Sequence, residues 1–268
     1  MAESLSGLIV CVPRYLPRNE WPRAATNAIA VNPRNRPPGF EEDEVPMGNE
    51  GERLALDVTR YWGDKGVQLT VGFFETPDLA LRKRILLHLN AWGKSANVRF
   101  VESNAEPQVR IARWNANEAA PGEDGYWSNL GTDILLIKTD RPTMNLEGFT
   151  MKTPDSEFHR VVRHEAGHTL GFPHEHMRKE IVERLDREKV IRDYMKTQGW
   201  TRQEVIDQVL TPLEESSLLG TPTAEADSIM CYEIGGRLTL DGKPIVGGTD
   251  ITSSDHAFAA QVYPKPSR

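Results

Sequence analysis

The chain contains little cysteine, no long apolar run and no excess of positive charge. Cys11 and Cys231 are its only cysteines among 268 residues, which excludes a fold held by several disulfides. No apolar run approaches the ~20 residues that span a bilayer, so we expect no membrane segment. The formal net charge of −7 argues against nucleic acid as a main partner. These absences leave a soluble globular protein whose two thiols are either free or paired.

The N-terminus also lacks the pattern of a secretory signal peptide. Its apolar stretch, residues 8–12, is short, and no basic segment precedes it. We therefore expect a protein that stays in the cytoplasm, leaves by another route, or has had a leader removed.

Residues 1–50 differ in composition from the rest of the chain. They are rich in proline and arginine, show little periodicity, and include the acidic run EEDE at 41–44. Such a segment is either solvated surface or an arm that wraps the body as a latency peptide. Residues 51–268 are expected to form one domain.

Hydrophobic periodicity predicts the elements of that domain. A short helix is expected over 54–62, and a longer helix begins at Pro77 with Thr76 as its N-cap. The segments rich in β-branched and aromatic residues predict strands at 67–74, 97–103, 108–114 and 131–139. Strand, helix and three further strands in this order predict an α+β class, with a helix packed on a mixed sheet.

Helical periodicity dominates the remainder of the chain. One helix is predicted over 155–170, with Asp155 or Ser156 as its N-cap and Gly171 after its last residue. Further helices are predicted at 177–200, 201–215 and 253–264.

Four of the seven histidines lie in the stretch VVRHEAGHTLGFPHEH, residues 161–176. His164 and His168 are four residues apart on a helix, so their imidazoles share one face and can bind one zinc ion. Gly171 allows a sharp turn that can bring His174 to the same ion. Three neutral histidines leave the fourth position to water, as in catalytic zinc sites, and Glu165 is placed to take a proton from that water.

The short stretch HEAGH also fits a helix with two surface or packed histidines. The longer stretch HEAGHTLGFPH fills every fixed position of H-E-x-x-H-x-x-G-x-x-H, which chance rarely produces, and this favours the zinc site. His176 is expected to point away or to lie at the rim of a cleft. The remaining histidines are expected to be surface or packing residues: His88, His159 and His256.

This eleven-residue pattern resembles that of the metzincin zinc proteases, and two further stretches are similar to the astacin family. DSIMCYEI matches the S-x-M-x-Y turn of that family through Ser228, Met230 and Tyr232, although histidine is usual where Cys231 stands. FPHEHMR matches the extension F-x-H-E-x-x-R. The resemblance is strong over 158–178 and 228–232 and only architectural elsewhere.

The resemblance implies a two-lobe metzincin-like zincin fold with a cleft between residues 51–171 and 172–268. A twisted mixed sheet and the active-site helix would lie above the cleft, and a mostly helical or irregular lobe below it. An extended protein or peptide substrate would pair with the predicted strand 131–139 as the edge strand. The family resemblance also favours secretion.

The same resemblance implies a zinc endopeptidase with one catalytic ion. Water bound to zinc would attack the peptide carbonyl, with Glu165 as general base and acid. Met230 would form an apolar floor beneath the zinc ligands without binding the metal. The Tyr232 phenol would be a weak extra ligand that moves to stabilise the oxyanion, a role that suits a hydrogen-bond donor.

Two alternatives remain open at this stage. One is a narrow-specificity or latent processing protease, and the other is a non-catalytic zinc-binding protein on the same fold. Cys11 is either an inhibitory thiolate ligand of the zinc or a small buried residue. The usual cysteine pairs of the family are missing, which puts a disulfide-stapled form in doubt, and the oligomeric state is not predicted.

Overall fold

The computed structural model describes residues 11, 14, 16–37, 58–120, 123–197, 199–212 and 225–266. The acidic run at 41–44 lies outside these ranges, as does most of the helix expected over 54–62. The described part of that segment, residues 58–62, is not helical. None of the described helices is long and apolar enough to cross a membrane.

Five strands in the described residues form one mixed sheet. They are β1 (Val67–Phe73), β2 (Val98–Glu102), β3 (Val109–Ala112), β4 (Tyr126–Ser128) and β5 (Met144–Leu146), in the spatial order β2-β1-β3-β5-β4. The pairs of β1 with β2, β1 with β3 and β3 with β5 are parallel, whereas β4 runs antiparallel to β5. The predicted mixed sheet is confirmed, and its β4 edge is antiparallel.

The strand predicted at 131–139 is wrong. Residues Gly131–Leu136 form a 3-10 helix instead. The backbone N–H of Thr132 donates to the carbonyl of Arg60, and the Arg60 guanidinium donates to the buried Asp133 carboxylate at 2.8 Å. These bonds turn the segment toward residues 58–60, and glycine and aspartate disfavour strands. The edge strand is therefore β4, which precedes this segment.

Helix α2 (Leu79–Leu89) packs Leu81, Ile85 and Leu89 into the core beneath the sheet. Its N-cap is Asp78, whose carboxylate accepts the N–H of Leu81 at 2.8 Å. The predicted start at Thr76 and Pro77 is wrong by two residues. A carboxylate at position 78 satisfies the first free N–H groups of the helix, so the chain stays non-helical until then.

Helix α1 (Trp21–Val31) lies within the segment 1–50 and was not predicted. Its buried residues are Ala24, Ala25 and Ala28, and the last two pack against Val58. The helix is amphipathic, but the prolines and arginines around it dominate the composition of residues 1–50 and hide its pattern.

Residues 155–169 form α3, the helix that carries the HEAGH stretch. Its parts are an α-helical turn at Asp155–Glu157, a π-helical segment at Phe158–Val162 and an α-helical segment at Arg163–Thr169. Pro154, rather than Asp155 or Ser156, occupies the N-cap position. Gly171 follows the helix with φ 91°, and a Cβ there would lie 2.8 Å from the carbonyl oxygen of Arg60. Glycine is needed at this turn both for its backbone angle and for space.

The part of the chain after the helix is helical and irregular, as expected. It contains α4 (Lys179–Val182), α5 (Arg187–Thr197), α6 (Arg202–Val205), a π-helical segment (Ile206–Leu210) and α7 (Ser253–Val262). Most of α4 to α6 packs around a second apolar core that is separate from the core under the sheet. Cys11, from the N-terminal segment, is buried in this second core.

Candidate active site

Three imidazoles from α3 and the turn after it meet at one point. His164 and His168 project from one face of α3, and the turn at Gly171 returns His174 to them. The Nε2 atom of His174 lies 3.1 Å from Nε2 of His164 and 3.0 Å from Nε2 of His168. The three residues predicted from the motif are therefore brought together by the fold.

The other ring nitrogens determine the protonation of two of these histidines. Nδ1 of His164 lies 2.6 Å from the carbonyl of Ile229, and Nδ1 of His168 lies 2.8 Å from the carbonyl of Phe172. A carbonyl can only accept, so each Nδ1 carries the proton and each Nε2 directs a lone pair inward. Burial lowers the pKa of His164 to about 4 and that of His168 well below its ordinary value.

This arrangement fits a bound cation. Burial is also the largest cause that lowers the pKa of His174, so all three rings are neutral at physiological pH. The lone pairs of His164 and His168 both point toward Nε2 of His174 at 3.0–3.1 Å, and a cation placed among the three nitrogens would accept a lone pair from each ring. Three imidazole nitrogens are a ligand set that zinc prefers.

Glu165 is completely buried beside this group. Neither of its carboxylate oxygens has a hydrogen-bond partner of ordinary geometry among the described residues. Burial raises the pKa of the carboxyl to about 8, while the Cys11 thiol and the Arg160 guanidinium lower it. A buried carboxyl whose pKa is raised by desolvation, beside a cluster of possible metal ligands, is typical of a group that exchanges protons with a substrate or with water.

Met230 lies directly beneath α3. A Cβ at Gly167, the fourth residue of HEAGH, would lie only 2.4 Å from the Met230 sulfur. Glycine at this position therefore lets the methionine side chain approach the helix backbone. Met230 therefore packs against the helix that carries His164 and His168, and Gly167 is a supporting residue that the sequence analysis did not single out.

The turn that carries Met230 is held by Asp255 of α7, another residue that sequence reasoning missed. The Asp255 carboxylate accepts the hydroxyl of Ser228 at 2.6 Å and the N–H of Ile229 at 3.0 Å. The Ser228 hydroxyl in turn accepts the N–H of Met230 at 3.1 Å. No spacing rule links position 255 to position 228, so the sequence carried no signal for this contact.

Tyr232 packs against the histidine cluster. Its ring centroid lies 4.2 Å from that of His174 and 4.0 Å from that of His176, and the His176 ring is nearly parallel at 18°. His176 is completely buried, so the expectation that it points away or lines the rim is wrong. It stacks on the tyrosine instead and fixes one face of the phenol ring.

Cys11 lies at the same centre. Its sulfur and one ring nitrogen from each of His164, His168 and His174 all lie within 4.8 Å of one another. Burial, followed by the charge of Glu165, raises the pKa of its thiol. The cleft beside it is lined by Tyr126, Arg160, Cys231, Glu233 and Val246, among others. The second cysteine, Cys231, is also buried and free.

The chain was compared with protein families, curated proteins and solved structures. No protein-family model and no curated protein matches the chain. Among solved structures it is similar to myroilysin, with 28% identity and a TM-score of 0.70 over 78% of this chain and 97% of the other. A second structure of myroilysin gives 28% identity and a TM-score of 0.57 over 88% and 97%.

A weaker likeness is found to high choriolytic enzyme 1, a hatching enzyme zinc-protease from the medaka fish Oryzias latipes. Its identity is 18% and its TM-score is 0.47, over 73% of this chain and 88% of the other. The fold, its buried group of three histidines and one cysteine, and the likeness to myroilysin all support the predicted resemblance to the astacin-like metzincins, which are zinc metalloendopeptidases.

Proposed function

We propose that the chain hydrolyses internal peptide bonds of proteins at a single zinc ion held by His164, His168 and His174. The convergence of three neutral Nε2 atoms at 3.0–3.1 Å carries this proposal. Zinc in such a site polarises a carbonyl and acidifies water, which supplies the electrophile and the nucleophile. The cleft would lie between residues 51–171 and 172–268, with residues 1–50 as a separate arm.

Glu165 is the proton carrier in this proposal. Its carboxylate accepts a proton from the attacking water and then donates it to the leaving amine. Both oxygens are buried, and the partner that acts on them through a hydrogen bond is the Cys11 thiol, which would leave when the arm leaves. A pKa that burial holds near neutrality suits a group that must both accept and release a proton.

Tyr232 is the oxyanion donor. Its hydroxyl would donate a hydrogen bond to the negative oxygen that develops on the attacked carbonyl. The ring is held between His174 and His176, which keeps the phenol beside the ligand cluster. Met230 does not touch the substrate in this scheme but supports α3 from below.

The position of Cys11 favours a latent form of the same enzyme. A thiolate that completes the ligand set of three histidines would occupy the place that water needs for catalysis. Three residues later the arm meets the sheet edge, where Arg14 bridges Asn129 in parallel orientation and its N–H donates to the carbonyl of Ser128 at 3.1 Å. The arm therefore covers both the metal ligands and the edge on which a substrate would pair.

Metal content and casein cleavage, measured on the full chain and on Cys11→Ala, test both parts. We expect about one zinc per chain in each, with cleavage by Cys11→Ala at least about tenfold above the parent. Cys231→Ala is the matched control: it also removes a buried thiol near the cleft and should stay as slow as the parent. Cys11→Ala/Glu165→Ala should bind zinc and cleave nothing.

The outcomes separate the alternatives. Absence of zinc from the parent would refute the metal site itself. Zinc without cleavage in Cys11→Ala, on casein and on peptides, would favour a non-catalytic zinc protein. Equal cleavage by the parent and Cys11→Ala would leave the peptidase in place and remove the latent form.

A further inference from the structure

Arg14, one of the described residues of the arm, is anchored by several side-chain contacts near the cleft. Its guanidinium lies over the ring of Trp127, with the central carbon 4.0 Å from the ring centroid, and pairs with the Glu123 carboxylate at 3.3 Å. Its backbone carbonyl accepts the side-chain N–H of Asn129 at 3.1 Å. The Arg14 side chain is 23% exposed and that of Glu123 is 16% exposed. The cation is thus held by side-chain contacts and not only by the backbone.

These contacts lie on the edge of the sheet that a substrate would use. Trp127 belongs to the edge strand β4, and Arg14 pairs with the residue that follows this strand. The backbone bonds to Ser128 and Asn129 could be made by almost any peptide that pairs with this edge. The contacts with Trp127 and Glu123 are different, because they select a planar cation.

The local charges also favour a cation at this place. Glu123 and Asp124 are the acidic groups that act on the Arg14 guanidinium, and Arg141 is the basic group. Arg141 also pairs with Glu123. With Arg14 in place, these four side chains comprise two positive and two negative charges. Without Arg14 a net negative charge remains beside the face of Trp127, which favours the entry of another cation.

We propose that Glu123 and Trp127 form a specificity subsite of the peptide-binding cleft, which selects an arginine of the substrate and which Arg14 occupies in the latent chain. Arg14 lies three residues after Cys11, so the selected arginine stands about three residues, or ~10 Å of extended chain, from the bond that is cleaved. This inference rests on the proposed endopeptidase function and adds the class of sequence that it cleaves.

The test uses the full chain carrying Cys11→Ala and Arg14→Ala, which empties both the metal position and the subsite. Internally quenched peptides differ only in the position of one arginine, which is replaced in a matched series by citrulline, its neutral and nearly isosteric analogue. At one position, on one side of the cleaved bond, we expect arginine to raise kcat/KM by about tenfold over citrulline, mainly through KM.

Variants of the subsite locate the effect. Glu123→Gln, which preserves the size of the side chain, should reduce the preference for arginine over citrulline to within about twofold, mainly by raising KM for the arginine peptide. Arg141→Gln is the matched control, because it removes the other partner of Glu123 and should retain the preference. A preference lost equally in both variants would indicate damage to the local structure and would overturn the subsite.

Measurements of peptide binding test the subsite without requiring cleavage. The same background with Glu165→Ala should bind the arginine peptide about tenfold more tightly than the citrulline peptide in fluorescence anisotropy. Equal cleavage and equal binding of the two peptides at every position would refute the subsite. Suppose that the arginine peptide binds more tightly but that no variant with Cys11→Ala and an intact Glu165 cleaves it. That result would retain the subsite and refute the proposed function.

Discussion

Two groups of histidines lie on the same helix, and only one of them is arranged for a metal. The first comprises His164 and His168 with His174; the second comprises His159 with His88 and Asp155. In both, one ligand atom from each residue lies within 4.8 Å of the others. Counting residue types would treat the two groups as equivalent sites.

The two groups differ in the residues that contact their ring nitrogens. In the second group Arg163 donates from Nε to Nδ1 of His88 and lies 3.3 Å from Nε2 of His159. Arg84 donates to Asp155 at 2.9 Å. The positive charge that a metal would bring is therefore already supplied by guanidinium groups. In the first group carbonyls hold the outer nitrogens of His164 and His168, and the inner nitrogens of both rings face Nε2 of His174.

The hydrogen-bond partners of the outer ring nitrogens therefore decide what a histidine cluster can do. A carbonyl at Nδ1 prepares Nε2 for a metal, whereas an arginine at Nδ1 prepares the ring for an ion-pair network. That network joins α2, α3 and the loop at Asp250, because Asp250 binds both His159 at 2.8 Å and Arg163.

The sharpest test of the comparison removes one ligand from each group. His168→Ala should lose the zinc and reduce peptidase activity by at least about a thousandfold, because two imidazoles no longer hold the ion. His88→Leu should retain one zinc per chain and most of the activity. Elemental analysis of dialysed protein checks both. Two zinc ions in the parent, with one lost in each variant, would show that the groups are equivalent after all.

A second test separates holding the metal from using it. Glu165→Gln in the Cys11→Ala background should retain zinc and lose activity by about 10²–10⁴-fold, since the amide cannot accept a proton. Steady-state kinetics on one quenched peptide give the measurement. A variant that keeps more than a tenth of the activity would assign the proton transfer to another group.

A third test concerns the residue that packs on the first group. Tyr232→Phe retains the ring contacts with His174 and His176 but removes the hydroxyl. We expect kcat to fall by about a hundredfold with little change in KM, because the donor acts on charge that develops only in the transition state. An equal loss through KM alone would indicate a role in substrate binding instead.

The smallest expected effect is a pH-dependent change in the free energy of unfolding, caused by His88 of the second group. Burial, followed by the charge of Arg163, lowers the pKa of His88 to about 4 from the ordinary 6.5. The unfolded chain therefore binds more protons between these values, so stability is lost as the pH falls from 6.5 toward 4.

His88→Leu should remove this acid sensitivity. The parent should lose about 1–2 kcal/mol of unfolding free energy relative to the variant between pH 7 and pH 4.5. Urea unfolding of both proteins at each pH measures this change. A difference between the two proteins that stays constant with pH would show that His88 does not titrate in this range.

The sequence predicted the local parts of the site well and the distant parts poorly. The spacing of His164 and His168, and the turn at Gly171, follow from helix geometry within eleven residues, and the fold brings His174 to them. The edge strand was placed at 131–139 because its residues are apolar, yet Arg60 and Asp133 bind each other and bend that segment away. Helix α1 was missed because the prolines and arginines around it dominate the composition of residues 1–50.

The surroundings of His176 and the partner of Ser228 could not be predicted for a related reason. Each depends on residues that meet only in the folded chain: His176 stacks on a ring 56 positions later, and Asp255 binds Ser228 across 27 positions. Pairs at such separations follow no helical or strand period, so a single sequence contains no pattern that specifies them.

The contact between Asp255 and the turn of Met230 has a consequence for synthesis of the protein. The ribosome makes the chain from the N-terminus, so the three histidines emerge long before α7 does. Asp255 then fixes the Met230 turn, and the Tyr263 hydroxyl closes on the carbonyl of Leu170, 93 residues earlier. The nascent chain therefore carries its three histidines before the contacts that hold the Met230 turn and the end of α3 can form.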